Sequence, residues 1–211
     1  AAEFGRDIAG DELGRLHDAD VEREVTRAVG VLSELGAHVD TADPGVTDPV
    51  DAFHVLWFAG LAAVLAPHGP DAIERVDPSM REALGRYHDY SAADYLDAVA
   101  VRMALGARMA DFHQRYDILI TPTTPIPAFD VGSDVPPGWH SPDWTSWTPY
   151  TYPFNMTQQP ALTVPCGFTR DGLPIGLQVV AARHDDAAAL RVGRAFEQAT
   201  TWHTQHPPRT R

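Results

Sequence analysis

The 211-residue chain contains no lysine; all 16 of its basic residues are arginines. No catalytic triad that needs a lysine can be assembled from it. Its six serines, Ser33, Ser79, Ser91, Ser133, Ser141 and Ser146, are scattered, and none lies in a G-x-S-x-G nucleophile elbow. There is no glycine- and serine-rich stretch that could supply an oxyanion cradle from backbone N–H groups. The single cysteine, Cys166, excludes an internal disulfide and is compatible with a reducing cytoplasm. Positive charge is scarce: 29 acidic residues against 16 basic ones give a formal net charge of −13. Nucleic acid and anionic membranes both require basic patches, so neither is an expected partner. Long apolar runs are missing too. The most apolar one, Val55–Ala66, is too short to span a bilayer and is expected to be a buried helix. No segment combines a basic start, an apolar centre and a small-residue cleavage site.

What remains is ordinary globular composition, 44 % apolar and 21 % charged. The length suits one domain or a large part of a bigger one. Ala1–Asp20 is polar, lacks a start signal and reads as a chain entered midway. Val21, Val25, Ala28, Leu32 and Leu35 recur at helical spacing, with Asp20 as cap and Gly36 as terminator. Ala37–Thr41 is a strand candidate. Asp48-Pro49 opens a second helix running to Ala66. Pro70–His88 holds one or two short helices broken at Pro78. Ser91 and Asp94 form a capping box for a long helix to about Arg115, with Tyr95, Val99, Met103, Met109 and Phe112 near one face. Ile118–Thr121, Leu162–Phe168 and Ile175–Ala181 read as strands, the last two joined by a turn at Asp171-Gly172. Asp185 or Asp186 caps a final helix ending near Thr200. Residues 122–150 are rich in proline and carry three of the five tryptophans, Trp139, Trp144 and Trp147. That composition predicts an ordered loop or lid rather than a flexible linker.

Two segments carry an identity: DILITPTTPIP at Asp117–Pro127, and YPFNMTQQPALTVPCGFTRDGLPIGLQVVAA at Tyr152–Ala182. In this order they resemble the C-terminal end of the amidase signature family, serine hydrolases that act on carboxamides. The weaker ELGAHVD segment resembles that family's Leu-Gly-x-x-Val pattern. The resemblance implies an α/β fold, a mixed β-sheet flanked by helices, with residues 1–211 forming the C-terminal part of one domain. It also implies a Ser-Ser-Lys mechanism. One serine attacks the carbonyl, and a second relays protons to and from a neutral lysine. Those parts belong to the family's N-terminal half, so no catalytic residue is expected in this chain. The implied partners are a small-molecule amide and that N-terminal half, with association into a homo-oligomer also expected of a sheet cut along its length. No cofactor is implied.

By the same resemblance, Phe154, Asn155 and the neighbouring Met156 approach the substrate. The alternative for Asn155 is a turn-stabilising side chain bonded to its own backbone. Trp139, Trp144, Trp147, Tyr150 and Tyr152 either wall an apolar acyl site or form the loop's own small core. Thr148 stands where the glutamine-using A subunits of amidotransferases have an aspartate, which disfavours an α-amino substrate. The expected substrate-binding set is therefore Trp144, Trp147, Thr148, Tyr152, Phe154 and Asn155. Gln158 occupies a position where many relatives have glycine, leaving the local loop shape open. Cys166 lacks a local base and reads as a buried structural thiol. His184/Asp185 and His203/His206 match no closed zinc pattern, so no metal is expected. A non-catalytic binding or scaffold protein that kept the fold is the rival from another class.

Overall fold

The computed structural model describes residues 18–86 and 89–205. Among them, six α-helices and three strands occur in the order α1 (Ala19–Glu34), α2 (Val50–Leu65), α3 (Pro78–Arg86), α4 (Ala92–Phe112), β1 (Ile118–Pro122), α5 (Tyr152–Thr157), β2 (Ala161–Phe168), β3 (Pro174–Ala181) and α6 (Asp186–Ala199). The strands form one sheet in the order β1-β3-β2, and both pairings are antiparallel. Leu119 faces Val180 in one ladder, and Leu162 faces Val179 in the other. Helices cover both faces, which gives the α/β architecture.

Strand alternation sorts the two faces. Ile120, Leu162, Val164, Leu177 and Val179 pack toward α1 and α6. Leu119 and Val180 point the other way, into a core built with Phe53 of α2, Leu105, Met109 and Phe112 of α4, and Tyr152, Phe154 and Met156 of α5. The approach of α6 to the sheet is close. A Cβ at Gly193 would lie 2.2 Å from Leu162 Cδ2, so a larger residue there would force that leucine side chain to move.

The local signals worked where the chemistry is short-range. Ser91 and Asp94 exchange side chain-to-backbone hydrogen bonds at the head of α4, at 2.7 Å and 3.2 Å. Asp185 Oδ1 accepts the Ala188 N–H at 3.0 Å and caps α6. Gly172 takes φ +85° in the β2–β3 turn. Three expectations need correction. Asp18 rather than Asp20 caps α1, accepting the N–H of Asp20 at 2.8 Å. Asp20 instead accepts the Arg170 N–H at 2.8 Å and so ties α1 to the hairpin. Ala37–Thr41 is not a strand; it is exposed throughout and has no ladder partner among the described residues. The buried stripe of α4 is Ala98, Leu105, Met109 and Phe112, while Tyr95 and Met103 are exposed. Met103 lies about 200° around the helix from Leu105, so the two cannot share a face.

The apolar helix α2 is not fully buried either. Phe53, His54 and Phe58 face inward, but Trp57 and Val64 are exposed. By length and composition alone the stretch Val50–His68 could cross a membrane, with a mean hydropathy of 1.6. His88 and His206, like the opening Ala1–His17, lie outside the described residues.

Candidate functional site

Residues 123–151 run from the end of β1 over α2 and into α5, with a single 3₁₀ turn at Trp144–Trp147. Three tethers hold this segment down. Tyr152 Oη donates to Asp48 Oδ1 at 2.6 Å, just ahead of α2. His54 Nε2 meets Thr145 Oγ1 at 2.8 Å. Gln178, buried in the middle of β3, donates through Nε2 to Tyr150 O at 2.6 Å and to Thr121 Oγ1 at 2.9 Å. Burial makes these tethers strong, because an unpaired polar group there would be costly.

Burial also sets the protonation states. Desolvation lifts the Asp48 carboxyl above the usual range, and the Tyr152 hydroxyl bond works against that rise. Tyr152 is pushed well above an ordinary phenol, first by burial and then by the charge of Asp48. His54 is lowered by burial, although Asp143, Asp51 and Asp48 pull it upward. A hydroxyl and an imidazole at 2.8 Å have the spacing of a nucleophile and its base. Thr145 is only 2 % exposed, however, so no substrate carbonyl could reach it. Ser146 is occupied as well: its hydroxyl donates to Asp143 O and accepts from Trp139 Nε1.

The aromatic residues divide into two groups. Trp144 stands edge-on to Phe53 (6.3 Å) and Trp57 (6.1 Å), and Phe53 stacks on Tyr152 at 5.2 Å. Trp57 is 43 % exposed and Trp144 is half-buried, so this cluster of α2 and the loop keeps an open edge. Trp147 belongs elsewhere. It packs edge-on to Phe129 at 5.5 Å and donates through Nε1 to Asp134 O at 2.8 Å. Trp139 lies against His140.

Of the expected substrate-binding set, the structure therefore joins Trp144 and Tyr152 and keeps Trp147 apart. Phe154 and Thr148 are buried, and the Thr148 hydroxyl donates to Thr145 O at 3.1 Å. Asn155 is exposed, and its carboxamide bonds to none of the described residues, so it does not stabilise its own turn. Sequence reasoning missed Phe53, Trp57, His54 and Gln178. A polar residue interrupting the apolar run of β3 was the available signal for Gln178. Phe53 and Trp57 sit four apart on one helix, the spacing that places two rings together.

Gln158 follows α5 with φ 58° and ψ 35°, the left-handed conformation that glycine takes most readily. Its N–H donates to Phe154 O, so the helix is closed as a glycine would close it. Cys166 is buried, and burial pushes its thiol up to about 12. Asp185 is engaged in capping α6, and among the described residues no three His, Cys, Asp or Glu side chains gather into a metal-holding group.

Comparison with known proteins shows the family and the fold. Residues 10–190 match the family model named Amidase. An amidase from Pseudomonas putida is 34 % identical over 90 % of this chain and 41 % of its own length. The A subunit of a glutamyl-tRNA(Gln) amidotransferase from Geobacillus stearothermophilus is 41 % identical over 95 % of this chain and 46 % of its own. Among solved structures, a bacterial aryl acylamidase of the amidase signature family superimposes with a TM-score of 0.77, at 22 % identity over 89 % of this chain and 42 % of that one. A 6-aminohexanoate cyclic dimer hydrolase gives the same score. The chain belongs to the amidase family and has the fold of part of an amidase signature enzyme. It spans under half the length of these relatives.

Proposed function

We propose that this chain supplies the substrate-facing wall of a carboxamide hydrolase whose Ser-Ser-Lys chemistry lies outside these 211 residues. The reaction is carboxamide plus water to carboxylate plus ammonia or amine. The observation that carries this reading is the open edge formed by Trp57 and Trp144, which rest on the buried rings of Phe53 and Tyr152. Its rings offer dispersion and apolar area to a neutral acyl group and carry no charge of their own with which to hold an ionic one. Burying about 100 Å² of an aromatic ring there gains roughly 2.5 kcal/mol, whereas burying an unpaired charge costs several. Asn155, exposed at the end of this segment, supplies the polar contact, with Thr148, Phe154 and the more distant Trp147 shaping the wall from behind. The amidotransferase relatives use glutamine by the family resemblance. The Thr148 position offers an α-amino group only a hydroxyl already bonded to a backbone carbonyl, so a neutral amide is favoured.

The outer edges of β1 and β2, unpaired among the described residues, and the exposed Trp57 and Val64 suit contact with the remaining part of the amidase fold. We propose a cytoplasmic setting, with which its single buried thiol is compatible.

Two measurements test the proposal. The purified chain should leave benzamide and acetanilide intact; turnover abolished by a serine-directed reagent would overturn the placement of the chemistry elsewhere. Tryptophan fluorescence should report benzamide binding at least about tenfold tighter than acetamide, and Trp144→Ala should remove most of that difference. Equal affinities for the two amides would refute the wall.

A further inference from the structure

Away from the aromatic cluster, a cavity of about 590 Å³ opens between the C-terminal half of α4, the end of α5 and the residues following β3. This volume lies in the range of small-molecule sites. Its floor is apolar, formed by the buried Met109 and Met156, and Met103 stands exposed at the mouth. Arg102 on α4 and Arg183 beyond β3 contribute the charge. In a chain of net charge −13 the lining includes no aspartate or glutamate. Arg102 forms no ion pair among the described residues, and Arg183 donates only to the side-chain amide oxygen of Gln158, at 2.6 Å. Arg23, Arg27, Arg86, Arg170 and Arg194 face carboxylates, while Arg75, Arg81, Arg108, Arg115 and Arg191, like the two cavity arginines, form no ion pair among the described residues; what sets Arg102 and Arg183 apart is that they share one cavity.

His113, also in the lining, adds no positive charge near neutrality. Its Nδ1 donates to Tyr116 O at 2.9 Å, and its Nε2 accepts from Gln159 Nε2, also at 2.9 Å. Burial lowers its pKa further. The cavity thus presents two cations without carboxylate partners above a thioether floor.

We propose that this cavity binds a small organic carboxylate with an apolar tail, the carboxylate held by Arg102 and Arg183 and the tail lying on Met109 and Met156. The guanidinium fork suits a planar carboxylate, and the flexible methionines adapt to an unbranched chain. The site is independent of the aromatic wall, and its occupancy does not depend on the amide-hydrolase assignment.

Calorimetric titration of the 211-residue chain with hexanoate, hexanamide and inorganic phosphate tests it. Hexanoate should bind at least about tenfold tighter than hexanamide, the share expected of one charge-assisted contact. Arg102→Gln and Arg183→Gln should each weaken hexanoate by about tenfold, and raising salt from about 50 to 500 mM should weaken it further. Met103→Glu, an exposed change that needs no repacking, should weaken hexanoate while leaving hexanamide unaltered, and it stands in if an arginine variant misfolds. Hexanamide binding as tightly as hexanoate, or hexanoate binding that ignores all three substitutions, overturns the proposal. Phosphate binding as tightly as hexanoate overturns the role of the apolar floor.

Discussion

Gln158→Gly should stabilise the protein, against the usual rule that glycine weakens a fold. A non-glycine residue in the left-handed region costs roughly 1–2 kcal/mol, because its Cβ crowds the following carbonyl. Gln158 carries this cost at φ 58°. Glycine removes it but gives the unfolded chain about 0.5–1 kcal/mol more backbone entropy to lose. The substitution also deletes the Arg183–Gln158 hydrogen bond, which is exposed and contributes a few tenths of a kcal/mol by the scale of exposed pairs. The net gain for glycine is therefore small, about 0.5 kcal/mol. A sharper test compares Gln158→Gly with Gln158→Ala. Both lose the Arg183 contact, but only alanine keeps the Cβ. Glycine should exceed alanine by about 0.5–1 kcal/mol in urea unfolding monitored by circular dichroism, with equal m-values. Alanine equal to or more stable than glycine would refute the argument, since it would mean that the corner following α5 is not held in the left-handed conformation.

Gly193→Ala should destabilise by about 1–3 kcal/mol on overpacking grounds, although alanine normally gains about 1 kcal/mol over glycine inside a helix; a neutral or stabilised variant in urea melts would show that α6 can lift from Leu162. Cys166, with its thiol pushed up to about 12, should react with iodoacetamide at pH 8 at least about a hundredfold more slowly than an exposed cysteine until urea unfolds the chain; rapid labelling of the native state is the contrary result. His54 and His113 both have folded pKa values below the ordinary 6.5, so the unfolded chain binds more protons and stability rises with pH. Their contribution is complete above about pH 6.5 and is lost as pH falls below it; His54→Asn and His113→Asn should each flatten that slope, and melting temperatures independent of pH from about 5 to 7.5 would contradict it. Asp48, raised by burial, acts with the opposite sign and only near the carboxylate range.

Legibility in the sequence follows the range of the interaction. Elements whose ends are set by neighbours in the chain, such as the Ser91–Asp94 box, the Asp185 cap and the Gly172 turn, are readable because capping chemistry is complete within four residues. The strands are legible for a related reason: β2 and β3 are short apolar runs bounded by turn residues. Ala37–Thr41 has a similar local pattern yet forms no strand, because a strand also needs a neighbour, and nothing local says whether one is present. The stripe on α4 misleads in the same way. Tyr95 and Met103 are apolar enough to be core, and only the positions of α2 and α5 decide that Ala98 and Leu105 are buried instead.

The aromatic site shows the same limit from the opposite side. Chain proximity groups Trp139, Trp144, Trp147, Tyr150 and Tyr152 as one wall, but a 3₁₀ turn sends Trp144 and Trp147 to different partners. The true companions of Trp144 are Phe53 and Trp57, which lie far earlier in the chain and pack against it only because α2 crosses the loop. What fixes that crossing is polar: Tyr152 on Asp48, His54 on Thr145, and Gln178 on the Tyr150 carbonyl. Rings alone pack in many orientations at nearly equal energy, since dispersion is non-directional. These directional hydrogen bonds select one of them, because any slip leaves a desolvated donor or acceptor unpaired. The apolar wall thus owes its area to the tryptophans and its shape to residues that need never touch a substrate.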